Sequence, residues 1–98
     1  MYGTIARLRV RKDAEGELRQ TLDATESRPV AGFVASYLYR LDSNPQDLML
    51  VVVFTDRAAY VRNADDPKQD AQFRELRQLL ESDPHWHDGE ILWSWPRP

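Results

Sequence analysis

The chain contains no cysteine. Disulfide frameworks, thiolate nucleophiles and cysteine-ligated metals are therefore excluded. Histidine is nearly as scarce. His85 and His87 are the whole supply, too few for a three-histidine zinc site. Positive charge is not in excess either: 13 Lys and Arg stand against 16 Asp and Glu, a net charge of −3. A phosphate-binding face needs a cationic surplus, so nucleic acid is not expected as a partner. The one local exception is the group Arg7, Arg9, Arg11 and Lys12. Long apolar runs are missing. The longest, Leu48 to Phe54, is far too short to span a bilayer, and the start "MYGTIARLRV" lacks the apolar centre of a signal peptide. No membrane partner is expected, and a cytoplasmic location is the default expectation. There is no Ser-His-Asp order, no Gly-rich phosphate loop and no zinc signature.

What is present describes a small globular protein. Hydrophobic residues are 42% and charged residues 30% of the 98, which fits one domain over residues 1–98. A core this small gains much from a partner subunit.

Periodicity predicts the elements. Tyr2 to Arg11 alternates as a strand, with Tyr2, Thr4, Ala6, Leu8 and Val10 on one face. "KDAEGELRQTLDATES" reads as a helix with Asp13 as N-cap, ended by Pro29. Val30 to Arg40 reads as a second strand, with Phe33, Ala35, Tyr37 and Tyr39 sharing a face. A polar turn around Asn44-Pro45 leads to "LMLVVVF", Leu48 to Phe54, completing a hairpin. This third strand is apolar on both faces, so both faces must be covered. The chain's helices suffice for one face. The other is expected to meet a second copy. Asp56 or Thr55 then caps a short helix bearing Ala59, Tyr60, Asn63 and Ala64. Asp66-Pro67 opens a longer one, with Phe73, Leu76, Leu79 and Leu80 along its apolar stripe, ended by Asp83-Pro84. "EILWSW", Glu90 to Trp95, is the expected last strand. The order strand, helix, strand, strand, helix pair, strand is βαββαβ. It predicts an α+β, ferredoxin-like antiparallel sheet with its helices on one face.

The sequence also resembles the antibiotic biosynthesis monooxygenases of the dimeric α/β-barrel group. The likeness is carried by "GTIARLRVR" with a helix after it, by "PVAGFVASYLYR", and by "LVVVFTDRAAYVRNADDPKQD". In that family an apolar strand runs into an acidic residue and a short helix, as Phe54, Asp56, Ala59 and Tyr60 do here. The resemblance implies a homodimer whose two sheets face each other as a dimeric α/β barrel. It implies a cavity between sheet and helices. It further implies oxidation of a phenolic or quinol-like aromatic by O₂ with no cofactor, metal, flavin or haem. Haem-degrading relatives carry an Asn near the first strand and a His on the second long helix. This chain has neither.

Candidate site residues follow. Asn63 matches the amide that such a cavity uses to hold a developing anion; its bland reading is a helix C-cap. Trp86 is expected either to wall the cavity or to plug the core. His85, or else His87, is the natural proton acceptor at neutral pH if it faces the cavity. Asn63, Trp86 and His85 are thus the catalytic candidates, and Tyr60, Tyr37, Phe73 and His87 the substrate-binding ones. The His-x-His spacing with Asp88 is a weak metal pattern, and no metal is expected. A non-catalytic ligand-binding or structural barrel stays open as the alternative function, and an isomerase on the same barrel as a third.

Overall fold

The computed structural model describes residues 1–26 and 30–97. Four strands and three helices follow in the order β1 (Tyr2–Arg9), α1 (Glu15–Glu26), β2 (Phe33–Arg40), β3 (Asp47–Phe54), α2 (Arg57–Ala64), α3 (Pro67–Gln78) and β4 (His85–Glu90). The strands form one antiparallel sheet in the order β2-β3-β1-β4. This is the expected α+β ferredoxin-like architecture. Among the described residues no helix is long and apolar enough to cross a membrane.

The alternation of β1 decides which side of the sheet is covered. Thr4, Ala6 and Leu8 are buried beneath the helices, while Ile5 and Arg7 are exposed on the opposite face. Leu48, Leu50 and Phe54 of β3 join the buried side, and Leu18, Leu76 and Leu80 close over it. Removing this apolar surface from water is the main stabilising term, about 25 cal/mol per Å². The helix starts are chemically explicit. Asp56 Oδ1 accepts from the Ala59 N–H at 2.8 Å and Asp66 Oδ1 from the Lys68 N–H at 2.9 Å, each satisfying a donor that the helix leaves open. Pro67 occupies the first turn of α3, where no donor is needed.

Several boundaries depart from expectation. Asp13 does not cap α1. It adopts a left-handed φ of 64° in the preceding turn, and the helix begins at Glu15. Pro29 lies outside the described residues. In β2 the register jumps between Phe33, which pairs with Phe54, and Ala35, which pairs with Val53. This bulge at Val34 puts Phe33 on the helix side and Ala35, Tyr37 and Tyr39 on the open side. α3 ends at Gln78 rather than Asp83, because Leu80 forms a bridge with Val10. β4 is "HWHDGE", not "EILWSW". It pairs from Arg7↔His85 to Tyr2↔Glu90, and the Ile91 N–H donates to the Met1 carbonyl as the last rung. Beyond that rung Leu92, Trp93 and Trp95 are exposed.

The open face carries an ion cluster at one end. The Arg9 guanidinium donates to Asp47 Oδ1 at 2.9 Å and approaches Glu81 at 3.4 Å; Arg7 reaches Asp47 at 3.4 Å. Glu90 takes no part in this cluster, being aligned with Tyr2 on the helix side of the sheet. The hydrogen bond from Arg9 holds the Asp47 carboxyl below the usual range, against the opposing effect of desolvation, with the charges of Arg9 and Arg7 adding to it. A depressed folded pKa contributes stability above the unfolded carboxylate value of about 3.9 and loses it as pH falls through the folded value. Asp47→Asn is therefore expected to lower the thermal midpoint at neutral pH. The difference from the parent should shrink on acidification below about pH 4, by thermal melts in a pH series. A constant difference across that range would refute the assignment.

Candidate functional site

Between the helix side of the sheet and helices α2 and α3 lies an open cavity of about 420 Å³. Its floor is Thr4 of β1 with Leu50, Val52 and Phe54 of β3. Tyr60 and Asn63 of α2 form one wall, Gln69 and Phe73 of α3 another, and Trp86 and Asp88 of β4 the outer rim. A narrower branch of about 100 Å³ continues toward α1, past Phe33, Leu22 and Val30. Volumes of a few hundred Å³ with apolar walls and few polar groups are typical of small-molecule sites. A second opening, about 440 Å³, lies between α1 and β2. It is lined by charged side chains, including the Glu15–Arg40 pair bonded twice at 2.6 Å, and it gathers none of the aromatic residues.

The aromatic walls are fixed by one another. Tyr60 is held between Tyr2, at 5.3 Å between ring centres, and Phe54, at 5.7 Å. Phe54 meets Phe33 edge-on at 5.8 Å. Trp86 leans on Phe73 at 6.1 Å. These separations suit tilted and edge-to-face pairs. Trp86 is 44% exposed, so it walls the cavity and does not plug the core. Asn63 lies within α2 and lines the cavity. The C-cap of that helix is Asp65, so the capping reading of Asn63 fails.

Other expected residues fall elsewhere. β4 alternates, so Trp86 and Asp88 point to the helix side while His85 and His87, aligned with Arg7 and Ile5, lie on the open face. Neither histidine reaches the cavity. Tyr37 is aligned with Val51 on the same open face, and the bulge at Val34 separates it from Phe33. Of the seven expected site residues, Tyr60, Asn63, Phe73 and Trp86 come together. Among the described residues no group of three His, Asp or Glu side chains is placed to hold a metal ion.

Two polar residues, Thr4 and Asp88, line the cavity although the sequence reading did not place them there. The Tyr60 hydroxyl donates to Asp88 Oδ1 at 2.9 Å. Thr4 is almost wholly buried, and its hydroxyl has no hydrogen-bond partner. Leaving such a group unsatisfied costs about 1–3 kcal/mol. A short aliphatic hydroxyl side chain in the stripe Tyr2, Ala6, Leu8, Val10, where every other residue is aromatic or aliphatic, is the signal that could have found it. Burial pushes the Tyr60 phenol up to about 12, helped by its bond to Asp88, by the charge of Asp88 and by Tyr2. Thr4 acts in the opposite direction, close enough to favour the phenolate but outside the geometry of a formed bond. Tyr60 thus stays a neutral donor across the physiological range.

Because the raised pKa favours the neutral phenol in the folded state, its stabilising effect is complete below the unfolded value of about 10 and is lost as pH rises through the folded value. Phenolate absorbance titrated in the parent, minus that of Tyr60→Phe, should rise near pH 12. A rise near pH 10 instead would mean that Tyr60 is solvated and not part of an enclosed wall.

Comparison with known proteins places the chain. The sequence profile described as antibiotic biosynthesis monooxygenase matches residues 1–69. No functionally curated protein matches the sequence. A variant of SnoaB, a cofactor-independent oxygenase from Streptomyces nogalater, superposes with a TM-score of 0.83 at 20% identity, over 98% of this chain and 97% of that one. Rv0793 from Mycobacterium tuberculosis matches with a TM-score of 0.77 at 25% identity, over 96% and 97%. A conserved protein from Methanosarcina mazei Go1 matches with 0.79 at 14% identity, over 90% and 89%. The matches at 20% and 14% identity speak for the fold alone. The profile spans well over half of the chain, and the protein belongs to the antibiotic biosynthesis monooxygenase family.

Proposed function

We propose that this protein is a cofactor-independent monooxygenase that oxidises a small phenolic or quinol-type aromatic molecule and works as a homodimer. The observation that carries the reading is the open cavity of about 420 Å³, walled by Phe73, Trp86 and Tyr60 with the Asn63 amide beside them, in a chain of this family. The SnoaB fold, belonging to a cofactor-independent oxygenase, supports it. In the proposed reaction the substrate supplies the electrons itself. One oxygen atom of O₂ becomes bonded to a substrate carbon and the other leaves as water. The protein contributes a dry aromatic slot and hydrogen bonds to the oxygen on which negative charge develops. Asn63 is the donor for that charge. Trp86 and Phe73 hold the ring, and Tyr60 fixes the polar end.

Oxygen uptake by chelator-treated protein against a panel of phenols, anthrones and hydroquinones tests the proposal. Uptake above the protein-free rate, with an oxygenated product, is the expected result. Asn63→Ala should then lower the rate on the order of 10²-fold, the usual effect of losing one donor to a developing oxyanion. Full turnover by that variant would remove Asn63 from the mechanism. No uptake across the panel would favour the alternative of a non-catalytic ligand-binding or structural barrel.

The homodimer is proposed from the open face of the sheet. Ile5, Tyr37 and Tyr39 are exposed there, beside half-buried Met49, Val51 and Val53. Contiguous apolar surface of this kind marks an interaction site. The same surface on a second copy is self-complementary across a two-fold axis. Light scattering should give twice the 11.4 kDa chain mass. Val51→Asp, which places a charge in the middle of the face, should shift the mass toward one chain. A single-chain mass for the parent at all concentrations would overturn the dimer.

A further inference from the structure

The polar groups of the cavity are gathered at one end. Thr4 and Asp88 are register partners across β1 and β4, and Tyr60 reaches over from α2 to bond Asp88. Counting donors and acceptors shows what this end still lacks. The Tyr60 hydrogen is committed to Asp88 Oδ1. The second oxygen of Asp88 and the lone pairs of the Tyr60 oxygen are free to accept. The buried Thr4 hydroxyl has no partner and is free to donate. A ligand group that completes the set must donate one hydrogen and accept another. A hydroxyl does both. An ether oxygen only accepts, and so does a carboxylate.

Charge points the same way. No Lys or Arg lines the cavity among the described residues. Of its two carboxylates, Asp70 is paired with Arg74 at 2.9 Å. Asp88 is bonded only to a neutral phenol. An anionic ligand would meet an Asp88 carboxylate with no neighbouring cation, at like charge.

We propose that Thr4, Tyr60 and Asp88 form a hydroxyl-recognition site that seats the O–H of a neutral hydroxylated aromatic molecule and rejects its carboxylated analogue. Recognition stands independently of the oxygenase reading; the proton transfer that follows rests on it. In that step the substrate O–H bond breaks, an O–H bond forms on Asp88, and the electron pair stays on the substrate oxygen. The Tyr60 phenol, held protonated by burial, remains a donor throughout. Asp88 thereby takes the role that neither histidine is placed to fill.

Calorimetric titration without oxygen tests recognition apart from turnover. The probes are 1-naphthol, its methyl ether and 1-naphthoate. The parent protein should bind the naphthol about tenfold more tightly than the ether, the effect of one hydrogen bond, and the naphthoate more weakly still. Asp88→Ala should bring the naphthol-to-ether ratio toward one, because it removes the acceptor of the naphthol hydrogen; Thr4→Val should weaken naphthol and ether alike, since both oxygens accept from Thr4, and Thr4→Ser should preserve both affinities. Asp88→Asn should raise naphthoate affinity. Far-UV circular dichroism confirms that each variant is folded, and a misfolded Thr4→Val leaves Asp88→Ala and Asp88→Asn to decide. Equal binding of the three probes, no binding of naphthol, or an unchanged ratio in Asp88→Ala overturns the site. A hydroxyl preference without oxygen uptake on any substrate supports the site and sinks the oxygenase reading alone. Oxygen uptake with no hydroxyl preference does the reverse.

Discussion

The alignment of β4 on β1 is the constraint on which the rest depends. Ala6 faces Trp86, Thr4 faces Asp88, and Ile5 and Arg7 face His87 and His85. Side chains alternate along a strand, so a slip of one residue would exchange the two sets. The histidines would then enter the cavity, and Trp86 and Asp88 would leave it. Ala6 and Leu8 anchor β1 in the core, where both are fully buried. The contacts of β3 along the whole of β1 hold it there. Gly3 adds to this constraint, since a Cβ at that position would run into the Val52 carbonyl oxygen. The chemistry available to the cavity is thus set by a strand that contributes only one polar side chain to it.

Much of this was legible in the sequence, and the parts that were not have physical causes. β1 and β3 are central strands, and burial writes a pattern into such strands that periodicity can find. The starts of α2 and α3 were legible because a cap needs a particular side chain, and Asp56 and Asp66 supply it. β4 is an edge strand, and every residue of it is exposed. Exposure on both faces leaves no burial pattern to read. "HWHDGE" therefore looked like a corner, while the apolar alternation of "ILWSW" looked like the strand. The assignment of Tyr37 failed for a different reason. Counting alternate residues from Phe33 assumes that no residue is inserted, and the bulge at Val34 inserts one. Asp88 was noticed only as a possible companion of the histidines. Its true partner, Tyr60, is distant in sequence and reaches it through the register of β4.

An open cavity is a cost that a domain of 98 residues bears with difficulty. Core voids forfeit packing contacts, and a buried hydroxyl without a partner adds desolvation. The fold offsets this by concentrating rigid packing around the cavity rim. Tyr60 is gripped by two rings. Phe54, one of the largest fully buried side chains, carries both Phe33 and Tyr60. The caps of α2 and α3 flank the wall residues Asn63 and Phe73, so the helices that frame the cavity are also the ones whose first turns are best satisfied. Side chains locked in this way are what a binding site requires, because each reacting group must be held to within a fraction of an ångström.

The two faces of the sheet divide the work, and the division explains β3. Its helix-side residues Leu50, Val52 and Phe54 floor the cavity, while Met49, Val51 and Val53 lie on the open face. A strand serving a cavity on one side and water on the other needs only one apolar set. Apolar residues on both sides of β3, together with Tyr37, Tyr39 and Ile5 beside them, are economical only where the second face is also removed from water. Covering that face would do more than add buried area. It would hold β1 and β3 against each other along the register that aligns Thr4 with Val52, and so steady the strand on which β4 aligns Asp88. The proposed assembly and the proposed chemistry would then be coupled through β1, which lends one face to each.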